Sequence, residues 1–181
     1  MNSGSRQPLF HCLQNTRRNE KGKDENLKDI VIPKDRAVFR MDGNGRWHNE
    51  HGPFQHKKLI DYFNASIGWD ADGFFVSQER GDLREKVYFP CEETALFAVA
   101  AVIGDEIALC LNTGRKIRLD SEKLRIKNDQ LFMLYQDTLI KFTDRCMMRL
   151  AEFIEESDTA FYFHFNGQRK FIPDLDATFH A

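Results

Sequence analysis

The chain has no apolar run long enough to cross a bilayer as a helix, which takes about 20 residues; its longest, Ala95 to Ile103, stops after nine. It also lacks a basic excess: 26 Lys and Arg stand against 28 Asp and Glu, for a formal net charge of -2. A dedicated nucleic-acid binder usually carries a basic face, so polyanion binding is disfavoured. The four cysteines (Cys12, Cys91, Cys110, Cys146) form no C-x-x-C pair, and three fall in apolar segments. They read as reduced, small hydrophobes in a cytoplasmic protein, with neither a disulfide framework nor a cysteine metal site. The first residues lack the apolar run of a signal peptide. Asn112-Thr113-Gly114 is too short for a phosphate loop, and no cysteine has a marked histidine partner, so nothing here points to nucleophilic catalysis.

What is present is a chain of short, alternating segments separated by turn residues. Residues 1–36 are polar and mixed in charge and read as a solvated tail. Order is expected over 37–173 as one α+β domain, with 174–181 frayed. Phe39 and Met41 run into Asp42-Gly43-Asn44-Gly45 and return through Trp47, which predicts a hairpin. Leu59, Ile60, Phe63 and Ile67 recur at helical spacing from about Gln55 to Ser66. Phe74 to Val76 and Glu85 to Phe89 read as strands joined by a charged loop, Gln78 to Arg84.

The Ala95–Ile103 segment is small and β-branched on both faces, which predicts a strand covered on both sides. It turns at Gly104-Asp105 into Ile107, Leu109 and Leu111. Lys116 to Leu119 and Leu124 to Ile126 extend this meander. Leu131 to Tyr135 and Thr138 to Phe142 form a further hairpin, and Thr143 is placed to cap a helix running to about Glu156. Phe161, Phe163 and Phe165 alternate into Asn166-Gly167 and a last strand at Lys170 to Ile172. The predicted fold is α+β, with mostly antiparallel strands and two main helices. The order hairpin, helix, strand occurs twice, as two copies of one motif would.

Two clusters carry candidate chemistry. His48, Glu50, His51 and His56 are the densest potential metal ligands, but on a strand they lack the i, i+4 geometry of a zinc helix, and no metal or other cofactor is assigned. Glu92-Glu93 follows Pro90 and precedes the core strand, so these acids should sit at a strand end. Paired acids serve as general acid and base only where burial separates their pKa values. A short connection would return Glu93 toward Lys86, so Glu85, Lys86 and Glu93 are expected to form the polar floor of a site, with Tyr88, Glu92 and Asn112 beside it. Its occupant would be a small-molecule ligand or a protein partner.

Asp42-Gly43-Asn44-Gly45-Arg46-Trp47, Asp72-Gly73-Phe74-Phe75, Glu85-Lys86-Val87-Tyr88-Phe89, Glu92-Glu93-Thr94-Ala95-Leu96-Phe97 and Leu111-Asn112-Thr113-Gly114, in this order, resemble the bacterial domain-of-unknown-function family numbered twelve eighty-five. The resemblance spans about Phe39 to Glu156. It departs where the family's acidic residue followed by Ala-Pro-Phe would stand and this chain has Glu93-Thr94-Ala95-Leu96-Phe97. It implies a mixed α+β fold of repeated motifs and a role in signal transduction or ligand sensing, with no catalytic residues to carry over. The reading from the sequence is thus a cytoplasmic, non-catalytic binding or regulatory module. The alternatives are a small hydrolase or transferase using Glu92 or Glu93, or a structural subunit that oligomerises.

Overall fold

A computed structural model of the chain describes residues 28–157 and 160–176. The first strands are β1 (Lys28–Ile32), β2 (Phe39–Met41), β3 (Trp47–Asn49) and β4 (Gly52–Pro53), followed by helix α1 (Lys57–Ala65). Next come β5 (Ile67–Asp70), β6 (Gly73–Arg80), β7 (Leu83–Tyr88), β8 (Leu96–Ile103), β9 (Ile107–Leu111) and β10 (Lys116–Arg118). The remainder is β11 (Leu124–Lys127), β12 (Gln130–Tyr135), β13 (Thr138–Phe142), α2 (Asp144–Leu150), β14 (Ile154–Ser157), β15 (Ala160–Phe165) and β16 (Gln168–Ile172). The expected α+β class with mostly antiparallel strands and two helices is what the chain adopts.

The strands form a four-stranded sheet β1-β7-β6-β5, a six-stranded sheet β10-β9-β8-β13-β12-β11, and two three-stranded sheets, β2-β3-β4 and β14-β15-β16. Three strands, a helix and three strands occur in order twice, as β2 to β7 around α1 and β11 to β16 around α2, with β8 to β10 between them. The six-stranded sheet joins two antiparallel meanders through one parallel pairing, β8 with β13. Two threonines fasten that seam. Thr94 donates its hydroxyl to the Leu139 carbonyl at 2.6 Å, and Thr143 donates to the Ala98 carbonyl at 3.0 Å. The Thr143 hydroxyl also accepts from the Cys146 N–H and caps α2, as its position predicts.

The core is continuous between the sheets. Phe39, Trp47, Phe63 and Phe89 pack edge-on or tilted at centroid separations of 4.7 to 5.9 Å, and the Trp47 Nε1–H reaches Asn64 Oδ1 at 2.9 Å. Burial of the polar end of the indole is thereby matched by a partner on α1. Leu96, Leu109, Leu124, Leu131, Ile140 and Cys146 are fully buried further along the same core. Loss of solvent pushes the Cys146 thiol up to about 11, so it packs as a small hydrophobe.

Several expected boundaries need correction. Lys28–Ile32, assigned to the tail, pairs in parallel with β7: its backbone adds an edge strand to a partner far away in sequence, while Ile30 and Val31 stay exposed. Lys34–Arg36 then form a single 3-10 turn. The rest of the expected tail, residues 1–27, lies outside the described residues, as do 177–181. Asp174–Asp176 are docked instead of frayed: the Leu175 N–H donates to the Ile126 carbonyl at 2.8 Å and its side chain is buried. The charged loop Gln78 to Arg84 is the turn-proximal half of a long β6–β7 hairpin closing at Gly81-Asp82, where cross-strand pairing outweighs polar composition. The second helix ends at Leu150, passes through a 3-10 turn, and residues 154–157 are the strand β14, paired with β15. Finally, β8 is buried only over Leu96–Ala98, and Val102 is exposed.

Candidate functional site

Three hairpin turns meet at one open cleft of about 700 Å³. Trp69, Asp70 and Phe75 come from the β5–β6 hairpin, Arg115 from the β9–β10 turn, and Gln136 and Asp137 from the β12–β13 turn. Each turn is a local product of its sequence, but their meeting is a product of the fold.

Asp70 ends β5 and is held from β7. Its Oδ2 accepts from the Tyr88 hydroxyl at 2.8 Å and from the Lys86 ammonium, which also lies 4.0 Å from the centre of the Phe75 ring. The Phe75 ring in turn lies across Gly68, where a Cβ would come within 2.5 Å of the ring. Any larger residue at 68 would therefore push Phe75 out of its place. The Lys86 ammonium, with help from the Tyr88 hydroxyl, holds the Asp70 carboxyl below the ordinary carboxylate range, and Asp70 raises Lys86 in return.

These shifts have a definite sign. A carboxyl lowered in the folded state contributes stability that is fully present above its unfolded value of about 3.9 and is lost as pH falls through the lowered folded value. A raised lysine contributes fully below about 10.4 and loses its contribution as pH rises through its raised value. Urea melts from pH 7 down to pH 2.5 should therefore show a steeper loss for the native chain than for Asp70→Asn. Parallel slopes for the two proteins would mean that the pair adds nothing.

Arg115 and Trp69 form the other wall. The guanidinium carbon lies 5.4 Å from the indole centroid, and Tyr135 lies on the same indole at 6.1 Å. Arg115 makes no ion pair among the described residues, and neither does Asp137. Gln136 has φ of 51°, a left-handed conformation that costs a non-glycine residue about 1 kcal/mol and that here shapes the rim of the cleft.

The residues predicted for a site are distributed differently. Lys86 and Tyr88 lie together, but around Asp70. Glu85 precedes Lys86 on β7 and so points to the opposite face of the sheet, in register with Gln78 and Ile30. Glu93 pairs with Lys141 at 2.5 Å, and a Cβ on Gly43 would lie 2.6 Å from Glu92 Oε2 and 3.8 Å from Lys141 Nζ. Glu93 is thus paired with β13 and Glu92 lies close to Gly43 at the tip of the β2–β3 hairpin, and the expected floor of Glu85, Lys86 and Glu93 does not form. Asn112 is taken up by the backbone: its Oδ1 accepts from the Phe97 N–H and its Nδ2 donates to the Ala95 carbonyl, each at 3.0 Å.

The histidines do not converge. His48 Nε2 lies 2.9 Å from Asp42 Oδ2, and the exposed His51 lies beside Glu50. Burial works to raise the Asp42 carboxyl, but the N–H groups of Arg46 and Asn44 together with His48 outweigh it and hold the group low. Among the described residues no three His, Cys, Asp or Glu side chains gather as a metal site, and no helix is long and apolar enough to cross a membrane.

No family model and no curated protein matches this chain. A solved structure of a DUF1285 family protein from Silicibacter pomeroyi DSS-3 does match, with a TM-score of 0.55 at 12% identity, over 86% of this chain and 87% of that one. The chain has the DUF1285 fold. A DUF1285 family protein from Shewanella baltica OS155 aligns with 64% of this chain and 91% of its own length, at a TM-score of 0.47 and 13% identity. At such identities the likeness concerns the DUF1285 fold alone. It agrees with the family resemblance read from the ordered motifs, and the cleft is described from this chain's own residues.

Sequence reasoning missed Trp69, Asp70, Arg115 and Asp137. Each is a single residue at the end or tip of a hairpin, with no spacing to its partners. The one available signal was turn chemistry, at Asn112-Thr113-Gly114 and Gln136-Asp137.

Proposed function

We propose that this protein is a non-catalytic ligand-binding or regulatory module of the bacterial cytoplasm, and that its ligand occupies the cleft between Trp69, Phe75, Arg115 and Asp137. The observation that carries this reading is Arg115: a guanidinium without a carboxylate partner among the described residues, set over an indole at the wall of a cleft of about 700 Å³. Small-molecule sites combine aromatic walls with a few polar groups that fix orientation, and an unpaired guanidinium is suited to a carboxylate or phosphate. The free thiols of Cys91, Cys110 and Cys146 fit a reducing compartment. Glu93 is paired with Lys141 and Glu92 is exposed, away from this cleft, which favours binding over acid–base chemistry by the two acids.

Titration with 3-phenylpropionate, an anion bearing a flat ring, tests the reading. Trp69 lines the cleft while Trp47 is buried in the core, so fluorescence quenching on saturation should come from Trp69. Arg115→Gln should weaken the probe by about tenfold or more, the scale of a lost charge-assisted hydrogen bond. Equal affinity of the variant and the native chain would remove the basis of the proposal.

A further inference from the structure

We infer that the ligand of this cleft is a small zwitterion carrying a flat ring, of the class of an aromatic amino acid. The inference rests on the binding role proposed above and goes beyond it to the charge pattern of the ligand.

Besides the indole N–H of Trp69, four ionisable or hydrogen-bonding side chains border the cleft, and they divide cleanly. Asp70 is already satisfied by Lys86 and Tyr88, so its charge is balanced within the protein. Gln136 is neutral. That leaves Arg115 and Asp137, which are exposed and of opposite sign. They belong to different turns, they do not pair with one another, and neither has another ionic partner among the described residues. Two unpaired charges of opposite sign on one cleft could each attract an ion separately. A ligand with both charges satisfies both at once, and each contact orients the other. A ligand with only a carboxylate would leave Asp137 repelling it.

The wall beside Arg115 is aromatic. Trp69 has Arg115 and Tyr135 near its ring, while Phe75, on the opposite face of the β5–β6 hairpin, lies across Gly68 with the Lys86 ammonium over its ring. A flat ring on the ligand would bury against Trp69 at little cost in ordering, since that indole is already placed.

The full chain should be titrated with three probes that share a phenyl ring: L-phenylalanine, 3-phenylpropionate and 2-phenylethylamine. The inference expects L-phenylalanine to bind at least about tenfold more tightly than either singly charged probe. It also expects Asp137→Asn to erase the advantage over 3-phenylpropionate while leaving the anion's affinity unchanged or improved. If 3-phenylpropionate binds as well as L-phenylalanine and Asp137→Asn changes neither, the zwitterion inference is overturned while the binding cleft stands. If none of the three binds at millimolar concentration, or Arg115→Gln is without effect on those that do, the cleft itself is not the site and both conclusions fall.

Discussion

Replacing Trp47 with alanine is expected to destabilise the protein by about 3 to 5 kcal/mol, the range for removing a large aromatic side chain from a core. Trp47 is 1% exposed and is enclosed by Phe39, Phe63 and Phe89. The substitution removes apolar transfer energy and leaves a cavity among rings that come from β2, α1 and the segment after β7. Those rings belong to separate elements and cannot all move inward to fill it. It also leaves Asn64 Oδ1 without the indole N–H. In a chain of this size the melting temperature should fall by about 6 to 20 °C. Trp47→Phe separates the contributions: most of the ring stays, the hydrogen bond is lost, and the cost should drop to about 1 to 3 kcal/mol. Thermal melts in which Trp47→Ala loses no more than Trp47→Phe would show that packing at this position contributes little.

The second large effect is expected at Asn112, and it is one of folding. Asn112→Ala removes the acceptor for the Phe97 N–H and the donor for the Ala95 carbonyl, at the start of the buried half of β8. Each backbone group left without a partner costs on the order of 1 to 3 kcal/mol. Asn112→Asp keeps the acceptor, loses the donor and turns a charge toward the Ala95 oxygen, so it should also destabilise. Urea midpoints for both variants should fall well below the native value while 3-phenylpropionate affinity stays the same. An unchanged midpoint with lost binding would return Asn112 to the role of a ligand residue.

The contrast between Asn112 and Arg115 shows how much of this molecule can be read from its sequence. Features whose causes are local were legible. Asp42-Gly43-Asn44-Gly45 makes the β2–β3 turn, Thr143 caps α2, and Phe161, Phe163 and Phe165 alternate along β15. Features that depend on distant pairing were not. Ile30 and Val31 looked like part of a charged tail because the strand that receives them, β7, lies more than 50 residues later. Polar composition over Gln78–Arg84 suggested a loop because both faces of that hairpin end meet solvent. Lys86 and Tyr88 were recognised as site residues, but their acid is Asp70, brought across two strand pairings, and not the nearby Glu93. Arg115 carried no pattern at all, since a single arginine after a turn is ordinary until Trp69 is placed against it.

The parallel seam between β8 and β13 also has a consequence for how quickly the chain can fold. The hydrogen bonds from Thr94 and Thr143 that fasten it each span 45 residues, whereas β8 to β10 and β11 to β13 can form as meanders from near neighbours. Joining them closes the longest loop within this sheet, and non-local closures of this kind slow folding. The entropy of closure grows only with the logarithm of loop length, about 0.6 kcal/mol for each doubling. A flexible polar insertion in the connection between β10 and β11 that doubles the enclosed loop should therefore slow refolding about threefold in stopped-flow measurements, with little change in the unfolding rate. An unfolding rate that rises instead would mean the seam is still open at the folding transition state.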